Sequence, residues 1–438
     1  MISFCSGAKM MLSESLSILK QGALELQCAS ASVRSRMLSM LAAAVRQRVP
    51  ELLVANQIDC AEHKDVLTES LYQRLKLSAE KLATLCQGIE ELSRHEDPLG
   101  RVQLRTELDQ GLVLERVNIP IGVFAVIFES RPDVFLQVLS LALRSGNGVV
   151  LKGGREATHT HRAMLTVVQE VFEADSRLPS RWFLLIEGRE ATEELLRYDQ
   201  YIDLVIPRGS NEFVRHIQDQ SKIPVLGHAS GVCHLYVHSS AEPEKSVAVI
   251  IDAKVQYAAA CNAVETVLID REIALEFLPR LHRALVAAGV RVRGCAAVTK
   301  LLPEVERVGD GEWSTEYGDR VIALRVVDGV AAAINHINQY GSHHTDGILA
   351  ADTEVCESFV RGVDSADVFC NCSTRFADGF RFGFGAEVGI GTGKLHARGP
   401  VGIEGLLTYK YVLRGNGHTV ASYVEGGPNA FHFKKLPI

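Results

Sequence analysis

Val123-Phe124-Ala125-Val126-Ile127-Phe128, followed at once by Glu129-Ser130-Arg131-Pro132-Asp133, is the stretch on which the fold turns. The first part is apolar without alternation, the pattern of a strand buried on both faces, as in a parallel sheet. A polar cluster then follows directly. The carboxyl end of such a strand is where open α/β sheets bind ligands, although a structural Arg–Asp pair is the plainer reading. Pro132 to Leu143 has helical periodicity with proline at its opening. Gly146-Asn147-Gly148 reads as a turn and Val149-Val150-Leu151 as the next short strand. The alternation continues with a helix over 158–174, a strand from Trp182 to Ile186, a helix over 189–198, a strand from Ile202 to Ile206 and a helix over 211–219. Residues 118–227 therefore predict a dinucleotide-type α/β domain, with a helical region over 11–97 packed on it.

After Gly231 the alternation restarts. Strands are predicted at Cys233 to Val237, Val264 to Ile269, Val321 to Val326 and Asp346 to Leu349, with helices at Pro243 to Tyr257, Arg271 to Ala288 and Val330 to Gln339. Between the first helix and the strand after it lies Gln256-Tyr257-Ala258-Ala259-Ala260-Cys261-Asn262-Ala263. Small residues leave room around a sulfur there, Asn262 is placed to orient the loop, and the Cys261 N–H is placed to meet an oxyanion. Most cysteines are buried filler, so the alanines around Cys261 are what set it apart. The last third of the chain is dense in glycine, from Gly379 through Gly383, Gly385 and Gly389 to Gly405, as in loops that line a site or are simply flexible.

The chain has 438 residues, 47% hydrophobic and 23% charged, with a net charge of -7. That is soluble globular composition with room for two or three domains, and it lacks the basic excess of a nucleic-acid coat. Ile119 to Phe128 is the longest core-like run and falls far short of the ~20 residues that span a bilayer. Lys9 is followed by no clean apolar block with a cleavage site, so no secretory signal is read. The cysteines at 5, 28, 60, 86, 233, 261, 295, 356, 370 and 372 have no framework spacing, which suits a reducing cytoplasm. No metal site is expected. Cys370-Asn371-Cys372 has no second pair, and His343-His344 reads as a turn pair, since adjacent side chains rarely converge on one ion and no cysteine is expected nearby.

Other clusters carry weaker signals. Leu151-Lys152-Gly153-Gly154-Arg155 ends a buried strand and suits close approach of a ribose or phosphate, or is a solvated turn. Arg155 tilts it toward phosphate. Pro207-Arg208-Gly209-Ser210-Asn211 opens a helix whose N–H groups favour anions, or is a plain cap. Ser373-Thr374-Arg375-Phe376-Ala377-Asp378-Gly379 offers Arg375 as a fork for a substrate carboxylate, or is a solvated loop.

Taken in order, Glu129 to Asp133, Leu151 to Gly154, Cys261-Asn262-Ala263, Ser373 to Gly379 and Lys394-Leu395-His396-Ala397-Arg398-Gly399-Pro400-Val401-Gly402 closely resemble the gamma-glutamyl phosphate reductase family. These enzymes, also called glutamate-5-semialdehyde dehydrogenases, belong to the aldehyde dehydrogenase superfamily. The similarity runs from about residue 10 to about residue 416. It implies an α/β, aldehyde dehydrogenase-like fold with two parallel-sheet α/β domains and a small strand arm for oligomerisation. Residues 1–102 and 118–228 would form the NADP-binding domain and 229–402 the catalytic domain. The arm would be 103–117 with 403–416, leaving a tail, 417–438, with no assigned role.

The resemblance implies NADPH-dependent reduction of gamma-glutamyl 5-phosphate to glutamate-5-semialdehyde with phosphate release, through a cysteine thioester. This is the second step of proline biosynthesis from glutamate. Carried over by position, Cys261 is the nucleophile, and Asn262 and Ser130 stand near the oxyanion. Lys152 and Gly153 meet the adenosine ribose, Arg155 favours NADPH, Gly209 and Ser210 meet the pyrophosphate, and Glu316 holds the nicotinamide ribose. Arg131, Ser373, Thr374, Arg375 and Arg398 are left for the substrate. A homo-oligomer is implied, with glutamate 5-kinase as a candidate partner and neither nucleic acid nor membrane involved.

Three departures from the wider superfamily are visible. Val225 stands where hydrolytic relatives carry a general-base glutamate, Ala258 replaces a proline, and Ser230 replaces an acid. Loss of the base leaves water poorly activated against a thioester, which suits transfer to phosphate. The alternatives are a hydrolytic aldehyde dehydrogenase, which needs that base, and a non-catalytic scaffold, against which intact Cys261, Lys152 and Glu316 speak.

Overall fold

The computed structural model describes residues 2–3, 11–173, 177, 179, 181–188, 190–228, 230–309, 311–384 and 386–438. Cys5, Lys9, Arg189, Gly385 and the end of the helix expected over 158–174 lie outside them.

Two open sheets organise the chain. The first runs in the order Ile2–Ser3, Phe183–Ile186, Gly148–Lys152, Val123–Phe128 and Leu204–Arg208. All pairs in it are parallel except that of Ile2–Ser3. Val123–Phe128 sits between Gly148–Lys152 and Leu204–Arg208, and every residue in it is buried, as its unbroken apolar run requires. The helix Val134–Ser145 follows and is almost wholly buried. It starts two residues later than its proline suggests. Ser130 takes φ +46° and Val134 N–H bonds Arg131 C=O at 3.1 Å, so Arg131 to Asp133 form a turn before the helix. The helix ends at Gly146 in the left-handed region, φ +70°, as helices commonly do. Asn147 then ties three segments together. Its amide donates to Leu406 C=O at 2.8 Å and its oxygen accepts from Gly122 N–H at 2.9 Å.

The second sheet has seven strands, all parallel, in the order Glu306–Arg307, Arg291–Gly294, Val321–Val327, Val264–Asp270, Cys233–Val237, Thr345–Leu349 and Asp367–Cys370. The four strands predicted from sequence occupy its centre. Three outer strands went unread. Glu306–Arg307 is very short, and Arg291–Gly294 alternates arginine with small or apolar residues, so neither has a buried-strand signature.

A third sheet stands apart. The hairpin Val102–Asp109 and Leu112–Pro120 pairs antiparallel, turning at Gly111 with φ +74°. Leu407–Arg414 adds to one side of it, and Lys434–Lys435 from the tail adds to the other. The tail is fastened by the Tyr423 hydroxyl, which donates to Asp109 at 2.8 Å, and by stacked Tyr423 and Phe431 rings 4.4 Å apart. A small hairpin, Gly389–Gly391 with Gly399–Val401, lies beside the first sheet. Val388, Val401 and Leu406 around it are buried in the same hydrophobic cluster as Phe124 and Val126. No helix among the described residues is long and apolar enough to cross a membrane.

Candidate active site at the facing sheet edges

The sulfur loop is held from three sides. Cys261 lies between the helix Pro243–Val255 and the strand Val264–Asp270, in two tight turns closed by Ala260 N–H to Tyr257 C=O and Ala263 N–H to Ala260 C=O. The Cys233 thiol donates to Cys261 C=O at 3.2 Å. The Asn262 amide donates to Ala377 C=O at 2.7 Å, joining the loop to the Ser373–Gly379 segment. Gly231 packs on the same peptide, so closely that a Cβ there would stand 2.1 Å from Cys261 O. The Cys261 N–H has no partner among the described residues and is available to an oxyanion.

Two imidazoles meet the sulfur. Donor atoms of His228, Cys261 and His344 all lie within 4.8 Å of one another, and the two rings cross edge to face with centroids 4.8 Å apart. Each ring is oriented through Nδ1. His228 Nδ1 lies 3.1 Å from Ile390 C=O, which can only accept, so that nitrogen carries a proton. His344 Nδ1 lies 2.7 Å from the Thr345 hydroxyl, which donates to Asp367 at 3.3 Å. That direction puts a proton on His344 Nδ1 and leaves its buried, unpartnered Nε2 as the basic nitrogen. Burial alone would push the Cys261 thiol up, but the charges of His344 and His228 hold it well below the usual thiol range. Burial opposes the charged form of His228 as well, yet the thiolate beside it leaves its pKa raised. The set is built to keep sulfur ionised. The same three donors are also of the type that bind soft metal ions.

His344 corrects the reading of His343-His344 as a mere turn. His343 is in the turn, with φ +59°, but His344 is fully buried beside the cysteine. Its cue was weak, since the residues it joins are far apart in sequence and share no spacing rule. Glu387 was also unread. It accepts from Gly379 N–H at 2.8 Å, its pKa is raised by burial, and it lies near enough to Cys261 to feel its charge.

Other predicted residues gather in two groups. On the sulfur side, Arg375 is nearly buried, its Nε donates to Gln256 at 2.8 Å, and its guanidinium lies 5.9 Å from the centre of the Tyr257 ring. Ser373 caps the short turn that carries Arg375, and the buried Thr374 hydroxyl has no partner. On the first sheet, a cavity of about 420 Å³ is lined by Lys152, Gly154, Arg155, Glu129, Phe213 and others. Gly153 packs against the His161 ring, 2.1 Å from where a Cβ would stand. Gly209 leaves a similar space against Phe213 and Glu129, and Ser210 caps the helix Asn211–Gln220 by accepting from Phe213 N–H at 3.3 Å. Glu316 bridges the two units, its Oε2 accepting from the Asn211 amide at 2.7 Å and from Gly231 N–H at 2.9 Å.

Two residues sit elsewhere. The Ser130 hydroxyl donates to Glu156 at 3.1 Å, beside the 420 Å³ cavity. Arg398 pairs with Asp364 at 3.1 Å and lines a larger cavity of about 770 Å³ that also reaches Asp367. Val225 is packed against the apolar cluster under the first sheet, so no carboxylate stands at its position.

Residues 15–293 match the aldehyde dehydrogenase family. The gamma-glutamyl phosphate reductase of Synechococcus elongatus is 51% identical over 395 residues, 90% of this chain and 91% of that protein. The chain belongs to the gamma-glutamyl phosphate reductase family. A member from Acetivibrio thermocellus is 46% identical over 97% of this chain and 98% of its own. The crystal structure of the gamma-glutamyl phosphate reductase from Thermotoga maritima superposes with a TM-score of 0.90 at 37% identity, covering 93% of this chain and 99% of that one. An acetylating aldehyde dehydrogenase from Geobacillus thermoglucosidasius shares the fold alone, at 17% identity and a TM-score of 0.63. The two-sheet α/β architecture is therefore that of the aldehyde dehydrogenases, with the gamma-glutamyl phosphate reductases as its near relatives.

Proposed function

We infer that this chain reduces gamma-glutamyl 5-phosphate to glutamate-5-semialdehyde, releasing phosphate, as the reduction step of proline biosynthesis. The observation that carries the chemistry is the thiol held between two oriented imidazoles. The family membership carries the substrate.

In this reading the Cys261 thiolate attacks the acyl carbon, and His344 and His228 keep the sulfur ionised. The Cys261 N–H meets the oxyanion, while Asn262 fixes the loop through Ala377. Phosphate leaves and a thioester remains on Cys261. A reduced nicotinamide, when bound, supplies the hydride that reduces the thioester. The thiohemiacetal then collapses, returning the thiolate to its imidazoles and freeing the aldehyde. With the apolar Val225 packed against the cluster under the first sheet, water at this site has no base at that position, so the thioester is kept for reduction.

The residues present suit a dinucleotide. Lys152 and Arg155 border a cavity at the carboxyl end of a parallel sheet, and glycines 153 and 209 keep the turns beside it tight against His161 and against Phe213 and Glu129. Lys152 and Gly153 would hold the adenosine ribose, Gly209 and Ser210 the pyrophosphate, and Glu316 the nicotinamide ribose. Arg155, exposed at the cavity mouth, would favour the 2'-phosphate and hence NADPH over NADH. Residues 1–102 and 118–228 would serve as the cofactor domain and 229–402 as the catalytic domain. The arm, 103–117 with 403–416, would join subunits into a homo-oligomer. A glutamate 5-kinase is the partner whose product this enzyme consumes, and a reducing cytoplasm suits thiols that are free at all nine described cysteines.

The test is absorbance of the reduced nicotinamide with semialdehyde and inorganic phosphate, using NADP, NAD, or NADP without phosphate. Turnover should need phosphate and prefer NADP. Equal turnover without phosphate would favour a hydrolytic enzyme instead.

A further inference from the structure

Several arginines among the described residues answer a carboxylate. Arg34 pairs with Asp97 at 2.7 Å, Arg162 with Glu187 at 2.9 Å, and Arg398 with Asp364 at 3.1 Å. Arg74, Arg131 and Arg208 form no such pair, although Glu387 lies near enough to Arg208 to feel its charge. Among the described residues their side chains make no hydrogen bond and no ion pair, although Arg74 Nε and Arg208 Nη1 are buried. A buried guanidinium nitrogen without a partner loses its hydration and gains nothing for it.

The three also lie near one another. Arg208 ends the strand Leu204–Arg208, opposite Phe128, and its carbonyl accepts from Glu129 N–H at 3.0 Å. Arg131 stands three residues beyond Phe128, on the same rim. Arg74 lies in the helix Glu69–Leu75, and the chain beside it is pinned by Asn56, which donates to Leu75 C=O at 2.9 Å and accepts from Leu77 N–H at 2.8 Å. Burial, and then the charges of Arg208 and Arg74, hold the Arg131 pKa down to about 10. The charge of Asp133 offsets this, and Tyr257, in the sulfur loop, is near enough to add to the offset. Arg375 lies over the same Tyr257 ring.

We propose that Arg74, Arg131 and Arg208 hold the phosphate of the acyl-phosphate substrate, and the inorganic phosphate it becomes, leaving Arg375 for the α-carboxylate. This rests on the reductase reading above. Three guanidinium forks match a dianion in charge and geometry, whereas the single fork of Arg375, already engaged with Gln256, matches a carboxylate. As the sulfur–carbon bond forms, the carbon–oxygen bond to phosphate breaks, and its electron pair leaves on a phosphate oxygen. Negative charge therefore grows where this arc of arginines stands, so the arc stabilises departure as well as binding.

The experiment measures binding of inorganic phosphate and, separately, of L-glutamate to the cofactor-free protein by calorimetry, with thermal melts. Arg74→Gln and Arg208→Gln should each weaken phosphate binding by about 10-fold or more and change glutamate binding by less than about 3-fold. Arg375→Gln should do the reverse. In phosphate-free buffer the Arg74→Gln protein should melt at or above the wild-type temperature, because like-charge repulsion on Arg131 is relieved. Arginines with a merely structural role would lower it. Unchanged phosphate binding in both variants, or loss of glutamate binding instead, overturns the assignment. None of these readouts needs turnover, so a chain that binds phosphate through the arc but fails the phosphate-dependent assay separates the two readings.

Discussion

The carboxyl rim of the five-stranded sheet and the amino rim of the seven-stranded sheet look at each other, and they are made differently. On the first, Lys152 and Arg208 are the last residues of the two strands that flank Val123–Phe128, and tight glycine turns follow them. On the second, Cys261 and His344 lie just before strands, Thr345 and Asp367 begin them, and the groups bond one another directly. The first rim carries cations beside a cavity of about 420 Å³. The second spends its polar groups on one another so that a single sulfur is ionised. In the proposed function, binding surface and reactive centre stand on opposite banks of one cleft, with Glu316 accepting from both.

That division can be broken in order of expected effect. Cys261→Ala should lower phosphate-dependent turnover by about 10,000-fold or more, as loss of a nucleophile does, while cofactor binding by fluorescence stays near wild type. If turnover survives, the second rim is not the reactive one. His344→Asn should lower turnover by about 100-fold and change the pH profile of Cys261 alkylation. A thiol pKa held down means that wild-type thiolate persists as pH falls well below the ordinary value of about 8.5, whereas in the variant, with His228 alone opposing burial, it should be lost at a higher pH than in wild type. An unchanged profile would remove His344 from the relay.

On the opposite bank, Arg155→Gln should raise the KM for NADPH by about 10-fold and leave that for NADH nearly unchanged, the size expected of one charge-assisted contact. A rise in both would make Arg155 a general support. Smallest is Ser210→Ala, which removes the cap of the helix Asn211–Gln220. It should cost about 1 kcal/mol by urea denaturation without altering alkylation of Cys261. An effect on the thiol would show the two banks to be less independent than their contacts imply.

The same contrast explains what could be read from the sequence. Val123–Phe128 and the strands at the centre of both sheets announce themselves as continuous apolar runs, and the ligand ends of the first sheet follow a general rule for open α/β folds. Lys152, Gly209 and Ser210 could therefore be picked out without coordinates. Cys261 was legible from the small residues around it. His228, His344 and Asp367 were not, because what unites them is the order of strands in the second sheet. Cys233–Val237, Thr345–Leu349 and Asp367–Cys370 are neighbours in space, yet more than a hundred residues separate the first two. Arg74 was hidden for the same reason, since its helix reaches the cleft only after the N-terminal region has docked. Short edge strands such as Arg291–Gly294 lacked the burial that leaves a pattern.

Gly231 carries a last implication. Since a methyl group there would collide with the Cys261 carbonyl, the peptide bearing the reactive atom is moulded by main chain from a different strand entrance. Its placement is steric before it is chemical. Loop changes at 229–232 and at 258–262 are consequently not separate engineering choices, and a graft that imports one without the other would misplace the thiol even with every reactive group retained.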